Sequence, residues 1–91
     1  MSILTIGTRI YNNGDMANPS HFGTIIQVTT DKYGMKYKIR EDETGKEYWV
    51  ESYIVSETYS GTHATRIVTE TEYDRWRKEQ IKAFINKKFG V

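Results

Sequence analysis

Residues 24 to 50 read TIIQVTTDKYGMKYKIREDETGKEYWV, and the fold follows from how this stretch divides. Two four-residue segments, Asp31-Lys32-Tyr33-Gly34 and Asp42-Glu43-Thr44-Gly45, each open on Asp and close on Gly. That is the chemistry of a tight reversal with a left-handed last residue. The turns leave three predicted strands, Thr24 to Thr30, Met35 to Glu41 and Lys46 to Val50. Counting outward from the turns sets Val28 opposite Tyr37, Ile26 opposite Ile39, Ile39 opposite Tyr48 and Tyr37 opposite Val50, so one face is apolar across all three strands. Gln27, Thr29, Lys36, Lys38, Arg40, Glu47, Trp49 and Glu51 fall on the other face. A one-residue slip would turn the lysines inward, so the pattern selects its own pairing.

Before this meander, Thr8 to Tyr11 alternates as a first strand, with Ile10 inward and Arg9 and Tyr11 outward, and stops at Asn12-Asn13-Gly14. Asp15 to Gly23 contains Asn-Pro and no periodicity, which predicts a surface loop. Loops on a small rigid scaffold concentrate binding residues, so Asp15, Met16, His21 and Phe22 are candidate partner-binding residues. The plainer alternative is that Met16, Pro19 and Phe22 fold the loop back onto the sheet.

After Val50 the chain runs Glu51-Ser52-Tyr53-Ile54-Val55-Ser56, a tight turn into a last short strand. A first strand, a long loop, a three-strand meander and this ending resemble the small SH3-like barrel, the group that includes KOW and Tudor-type domains. The resemblance covers about residues 7 to 56 and lies in strand order and length. The paired tryptophans and acidic first loop of proline-binding SH3 domains are missing, with only Trp49 and Asp15 nearby. The resemblance implies an α+β fold that is mainly β, a small antiparallel barrel with a C-terminal helix, and a binding module in place of an enzyme.

Residues 57 to 68 read as a connector, with Thr65 to Val68 able to add a short strand, and a helix follows over about 70 to 89. Thr69 with Glu72 forms a capping box, Val68 and Tyr73 a hydrophobic staple, and Gly90 a stop after Lys87 and Lys88. At about 100° per residue Tyr73, Trp76, Ile81, Phe84, Ile85 and Phe89 form one apolar stripe, with Arg75, Glu79, Lys82 and Asn86 opposite. The expected cover for this stripe is the chain's own barrel; the alternatives are a second copy, making a homodimer, or a partner protein.

Composition bounds the function. A chain of 91 residues forms one domain with little room for a deep active site. Aromatic residues make up 13% and compensate for a hydrophobic fraction of only 37%. The chain has no cysteine, hence no disulfide or thiolate metal site, and suits a reducing cytoplasm. No apolar run approaches the length of a membrane span, and no secretion signal opens the chain. The net charge of +1 hides polarity: residues 32 to 40 carry four cations and no acid, residues 41 to 57 six acids against Lys46, and residues 75 to 88 six cations against Glu79.

No residues assemble into a catalytic or metal pattern. His21 and His63, the only histidines, have no flanking carboxylate and read as solvated. Glu41, Asp42 and Glu43 read as turn and solubility residues. Phosphate-loop, dinucleotide and nucleophile-elbow signatures are all missing, so neither catalysis nor a cofactor is expected. Two binding functions follow. One is a protein-binding adaptor or inhibitor, similar in size and plainness to accessory proteins of phages and mobile elements, with Trp49 joining the loop candidates. The other is a nucleic-acid module using Lys36, Lys38, Arg40 and Trp49 with the basic helix, cations beside a stacking ring. Against that stands a local reading of the same face: Lys36 with Glu51 and Arg40 with Glu47 as cross-strand ion pairs, and Lys38 over Trp49 as a cation–π contact worth about 0.5 to 1 kcal/mol. In a third reading the helix covers Trp49 and buries both tryptophans.

Overall fold

The structure, a computed structural model, describes residues 4–61 and 66–90. Five strands form one antiparallel sheet: β1 (Arg9–Asn12), β2 (His21–Asp31), β3 (Gly34–Glu41), β4 (Glu47–Glu51) and β5 (Ile67–Thr69), in the order β4-β3-β2-β1-β5. A 3₁₀ turn, Ser52–Ile54, follows β4, and the helix α1 (Glu70–Phe89) follows β5 directly. The molecule is mainly β with one C-terminal helix. The sheet is open, and the expected last short strand is reduced to Val55, which makes one parallel bridge to Ile67. The strand that does pair with β1 is β5. The short strand that the end of the connector could add does form, over Ile67–Thr69 and so running one residue beyond Val68; Thr65 lies outside the described residues.

Both meander turns fall where the Asp…Gly segments place them. Asp31 accepts a hydrogen bond from the Tyr33 N–H at 2.8 Å, and Gly34 and Gly45 have positive φ. β3 and β4 pair in the expected register, Ile39 with Tyr48, Lys38 with Trp49 and Tyr37 with Val50. Between β2 and β3, Val28 faces Tyr37 as expected, but Ile39 faces Ile25 and not Ile26. Ile26 is the extra residue of a bulge between Ile25 and Gln27. A bulge inserts one residue on one strand only, so side chains before it exchange faces relative to those after it. Ile25 takes the core position and Ile26 is only half-buried.

The core of Ile10, Ile25, Tyr37, Ile39, Val55 and Ile67 lies on the inner face, with Val28, Tyr48 and Val50 packed against it. A second apolar layer lies on the outer face beneath the start of α1. Tyr11 stacks on Tyr73 at 3.8 Å between centroids and meets Phe22 at 5.1 Å, while Tyr59 meets Trp76 edge-on at 4.7 Å. Tyr11 thus points outward as expected yet is buried, because the helix covers it. Such ring pairs each add about 0.5 to 1.5 kcal/mol beyond area burial.

The helix ends follow the sequence signals. The Thr69 hydroxyl accepts from the Glu72 N–H at 3.2 Å, and Gly90 takes the left-handed conformation at the C-cap. Only half of the expected capping box forms, because the Glu72 carboxylate turns to accept the Tyr59 N–H at 2.7 Å and binds Arg75. Gly61, with φ of 74°, sits so close to Trp76 that an added Cβ would stand 2.7 Å from the indole ring.

Candidate functional site

The loop before β2 is shorter than expected, since His21 and Phe22 belong to the strand. Strand alternation before the bulge sends them to opposite faces. Phe22 joins the aromatic layer under α1 and is half-buried there, in place of projecting from a loop. His21 turns toward the inner face, half-buried, and is hydrogen-bonded at both ring nitrogens: its Nδ1–H donates to the Pro19 carbonyl at 3.1 Å, and its Nε2 accepts from the Tyr48 hydroxyl at 2.6 Å. The carbonyl can only accept, which assigns the proton to Nδ1. Asn12, buried, donates to the same hydroxyl at 3.2 Å and accepts the Gly14 N–H at 2.8 Å. Burial holds the Tyr48 phenol above its ordinary range. His63 lies outside the described residues.

This Asn12–Tyr48–His21 chain floors a cleft of about 480 Å³, whose rim carries Asp15, Glu41 and Lys46. The floor is satisfied from within, leaving no buried polar group in search of a ligand. Asp15 is occupied as well. It caps its own loop by accepting the Ala17 and Asn18 N–H groups at 2.8 and 2.7 Å, which hold its carboxyl below the usual range. Met16 is fully exposed at the loop tip.

On the outer face of the meander every candidate cation has a carboxylate. Lys36 lies 3.0 Å from Asp31 and 3.4 Å from Glu51, and Lys38 and Arg40 lie 3.2 and 3.0 Å from Glu47. Arg40 and then Lys38 hold the Glu47 carboxyl below its ordinary range. Lys38 Nζ also stands 5.8 Å above the Trp49 ring, which is 44% exposed. The helix does not bury the two tryptophans together: Trp76 is in the aromatic layer and Trp49 is apart from it. Asp42 is likewise more than a turn residue. It takes a bidentate contact from Arg9, which also reaches Thr24 and Glu70 and so ties β1, β2, the second turn and the start of α1 together. Arg9 holds the Asp42 carboxyl below the usual range.

Among the described residues the largest run of exposed apolar side chains on one element is the distal half of α1, with Ile6, Met16, Tyr33 and Tyr53 exposed singly elsewhere. The helix meets β1 and β5 through its first turns, where Tyr73 and Trp76 are half-buried. A helix of this length spans about 30 Å, more than the small sheet can cover. The molecule is accordingly elongated, 53 Å in its longest extent against 29 and 23 Å. Ile81, Phe84, Ile85 and Phe89 are 44 to 67% exposed. The expected cover by the chain's own sheet therefore reaches only the first third of the stripe. Among the described residues Arg77, Lys78, Lys82, Lys87 and Lys88 enter no ion pair, and Glu79 is engaged by Arg75 at 2.8 Å.

The candidates singled out in the sequence do not converge on one site. Asp15 and His21 share the cleft, Phe22 lies beneath the helix, Trp49 stands on the outer sheet face and Met16 projects from the loop. The apolar residues of the distal helix were legible in the sequence, though cations interrupt their arc, and their exposure could have been found by comparing the helix's length with that of the strands. The cleft's polar chain had no sequence signal, since Asn12, His21 and Tyr48 lie on three strands. Among the described residues no three His, Asp or Glu side chains gather as a metal site, and no helix is long and apolar enough to cross a membrane. No protein-family description, curated protein or solved structure matches the chain.

Proposed function

We propose that this protein is a non-catalytic interaction module that binds a protein partner through the distal half of α1, with the sheet as a rigid base. The observation that carries the reading is four large apolar side chains, Ile81, Phe84, Ile85 and Phe89, left in water on a helix whose first turns are anchored to the sheet by the ring contacts of Tyr73 and Trp76. Their spacing of i, i+3, i+4 and i+8 is that of anchors laid into an apolar groove. An adaptor or inhibitor acting by occupying such a groove fits this arrangement. In this reading the sheet is an opened relative of the small SH3-like barrel, supported by the 3₁₀ turn after β4 and the Val55–Ile67 bridge across the gap.

The sheet face supports nucleic-acid binding less well, because an incoming phosphate would have to displace Asp31, Glu47 and Glu51 from the cations they hold. The test is capture of partners by the tagged full-length protein from its source cell, repeated with the Phe84→Ser/Ile85→Ser double variant and with Met16→Ala and Trp49→Ala. The partner identified with the parent protein should bind the double variant about tenfold more weakly and the other two unchanged. A partner lost with Met16→Ala or Trp49→Ala and kept by the helix variant would move the interface to the loop or the sheet.

A further inference from the structure

We infer that the partner's groove is acidic: an apolar cleft in a protein, rimmed by carboxylates, which receives α1 from about Arg77 to Phe89. The inference rests on the proposed function above and adds the chemistry of the occupant. At about 100° per residue, Arg77, Lys88 and Lys78 fall within the arc that runs from Phe84 through Ile81 and Ile85 to Phe89, and Lys82 lies at its edge. The opposite half holds Glu79, Gln80, Ala83, Asn86 and one cation, Lys87. Apolar and cationic side chains thus share one side of the helix, and none of those cations is neutralised within the described residues. A neutral apolar groove would desolvate them with nothing in return, whereas carboxylates along its rim would pair with each as the apolar anchors seat.

The same arrangement disfavours the other occupants. A second copy pairing through this side would set four cations, Arg77, Lys78, Lys82 and Lys88, against four, with Glu79 already taken by Arg75. A membrane-surface helix needs its charged and apolar faces segregated, and here cations interrupt the apolar arc. A nucleic-acid backbone would satisfy the cations but leave four large apolar side chains without apolar cover.

The test uses the full chain and four probes: a designed helical hairpin whose apolar groove carries glutamates along both rims, the same hairpin with lysines there, vesicles rich in phosphatidylglycerol, and short single- and double-stranded oligonucleotides. The glutamate hairpin should bind at least about tenfold more tightly than the lysine hairpin, and Phe84→Ser/Ile85→Ser should abolish that preference without moving the melting temperature. Tighter binding to vesicles or oligonucleotides than to the glutamate hairpin would overturn the inference. So would failure to bind any probe, or a concentration-dependent dimer that Phe84→Ser disrupts. Equal binding to both hairpins, lost in the double variant, would overturn the acidic groove while leaving the helix as the interaction element; partner capture insensitive to the double variant would instead remove the proposed function itself.

Discussion

Ile26 is the residue on which the two faces of the sheet turn. It adds one position to β2, so Ile25 enters the core and, in step with it, His21 falls on the inner face and Phe22 on the outer. Farther from the bulge the alternation is undisturbed, and Tyr37→Ala should cost about 3 kcal/mol or more as a large-to-small core change, while its neighbour Lys38→Ala costs less than about 1; urea midpoints of the two variants check the ordering. Gly61 has two separate reasons to be glycine, its positive φ and the indole against it, whereas Gly7 has positive φ in open space. Gly61→Ala should therefore lose more stability than Gly7→Ala, which carries only the left-handed strain of about 1 kcal/mol. Glu72 sets a pH dependence. Hydrogen bonds from Arg75, and after them the Tyr59 N–H, hold its carboxyl at about 2 against an ordinary 4.5. A carboxyl with a lower pKa in the folded state contributes stability above its unfolded value and loses it as pH falls toward the folded one. Stability should thus decline between about pH 4.5 and 2, and Glu72→Gln should be less stable at neutral pH with a flatter acid limb in denaturation curves.

At the scale of elements, α1 does two jobs in succession. Its first turns complete the fold by roofing Tyr11 and Phe22, and its residues from 77 to 90 are all exposed. Ending the chain after Thr69 should lower the melting temperature and solubility together, since Tyr73 and Trp76 go with it. Ending it after Gln80 should leave the melting transition almost in place, as exposed changes usually fall within about 0.5 kcal/mol. Thermal melts of the two truncations separate the roles. A long truncation that melted like the parent would mean the aromatic layer contributes little. An isolated helix of this size is marginal in water, so the ordering of its distal turns depends on the anchored ones.

Across the whole molecule, the inner core and the outer aromatic layer share β1, through Ile10 on one side and Tyr11 on the other. Arg9 then links that strand to Asp42 and Glu70. Two layers built on one strand should unfold together. Tyr73→Ala in the outer layer and Ile39→Ala in the core should each lower a single transition, with far-ultraviolet circular dichroism and tryptophan fluorescence coinciding. Separate transitions by the two probes in either variant would show the helix layer melting by itself. Charge is divided on the same scale: the cations of the sheet are paired within the fold, and those of the distal helix are turned outward.

What the sequence by itself determined about this protein is what depends on near neighbours. The two Asp…Gly turns, the β3–β4 register, the Thr69 cap and the Gly90 stop all rest on residues within a few positions of one another. Only the tertiary structure decided the rest. The bulge at Ile26 is set by which pairing across β2 and β3 fills the core, a choice that alternation within one strand does not contain. Glu72 has the spacing of a capping box, yet it turns to a backbone N–H thirteen residues away because the connector is brought to it. Tyr11 and Ile81 are both apolar residues on an element's outer side, and one is buried while the other is in water. Helix periodicity describes a stripe from Tyr73 to Phe89, and it is the small reach of the sheet that covers its beginning and leaves its end free.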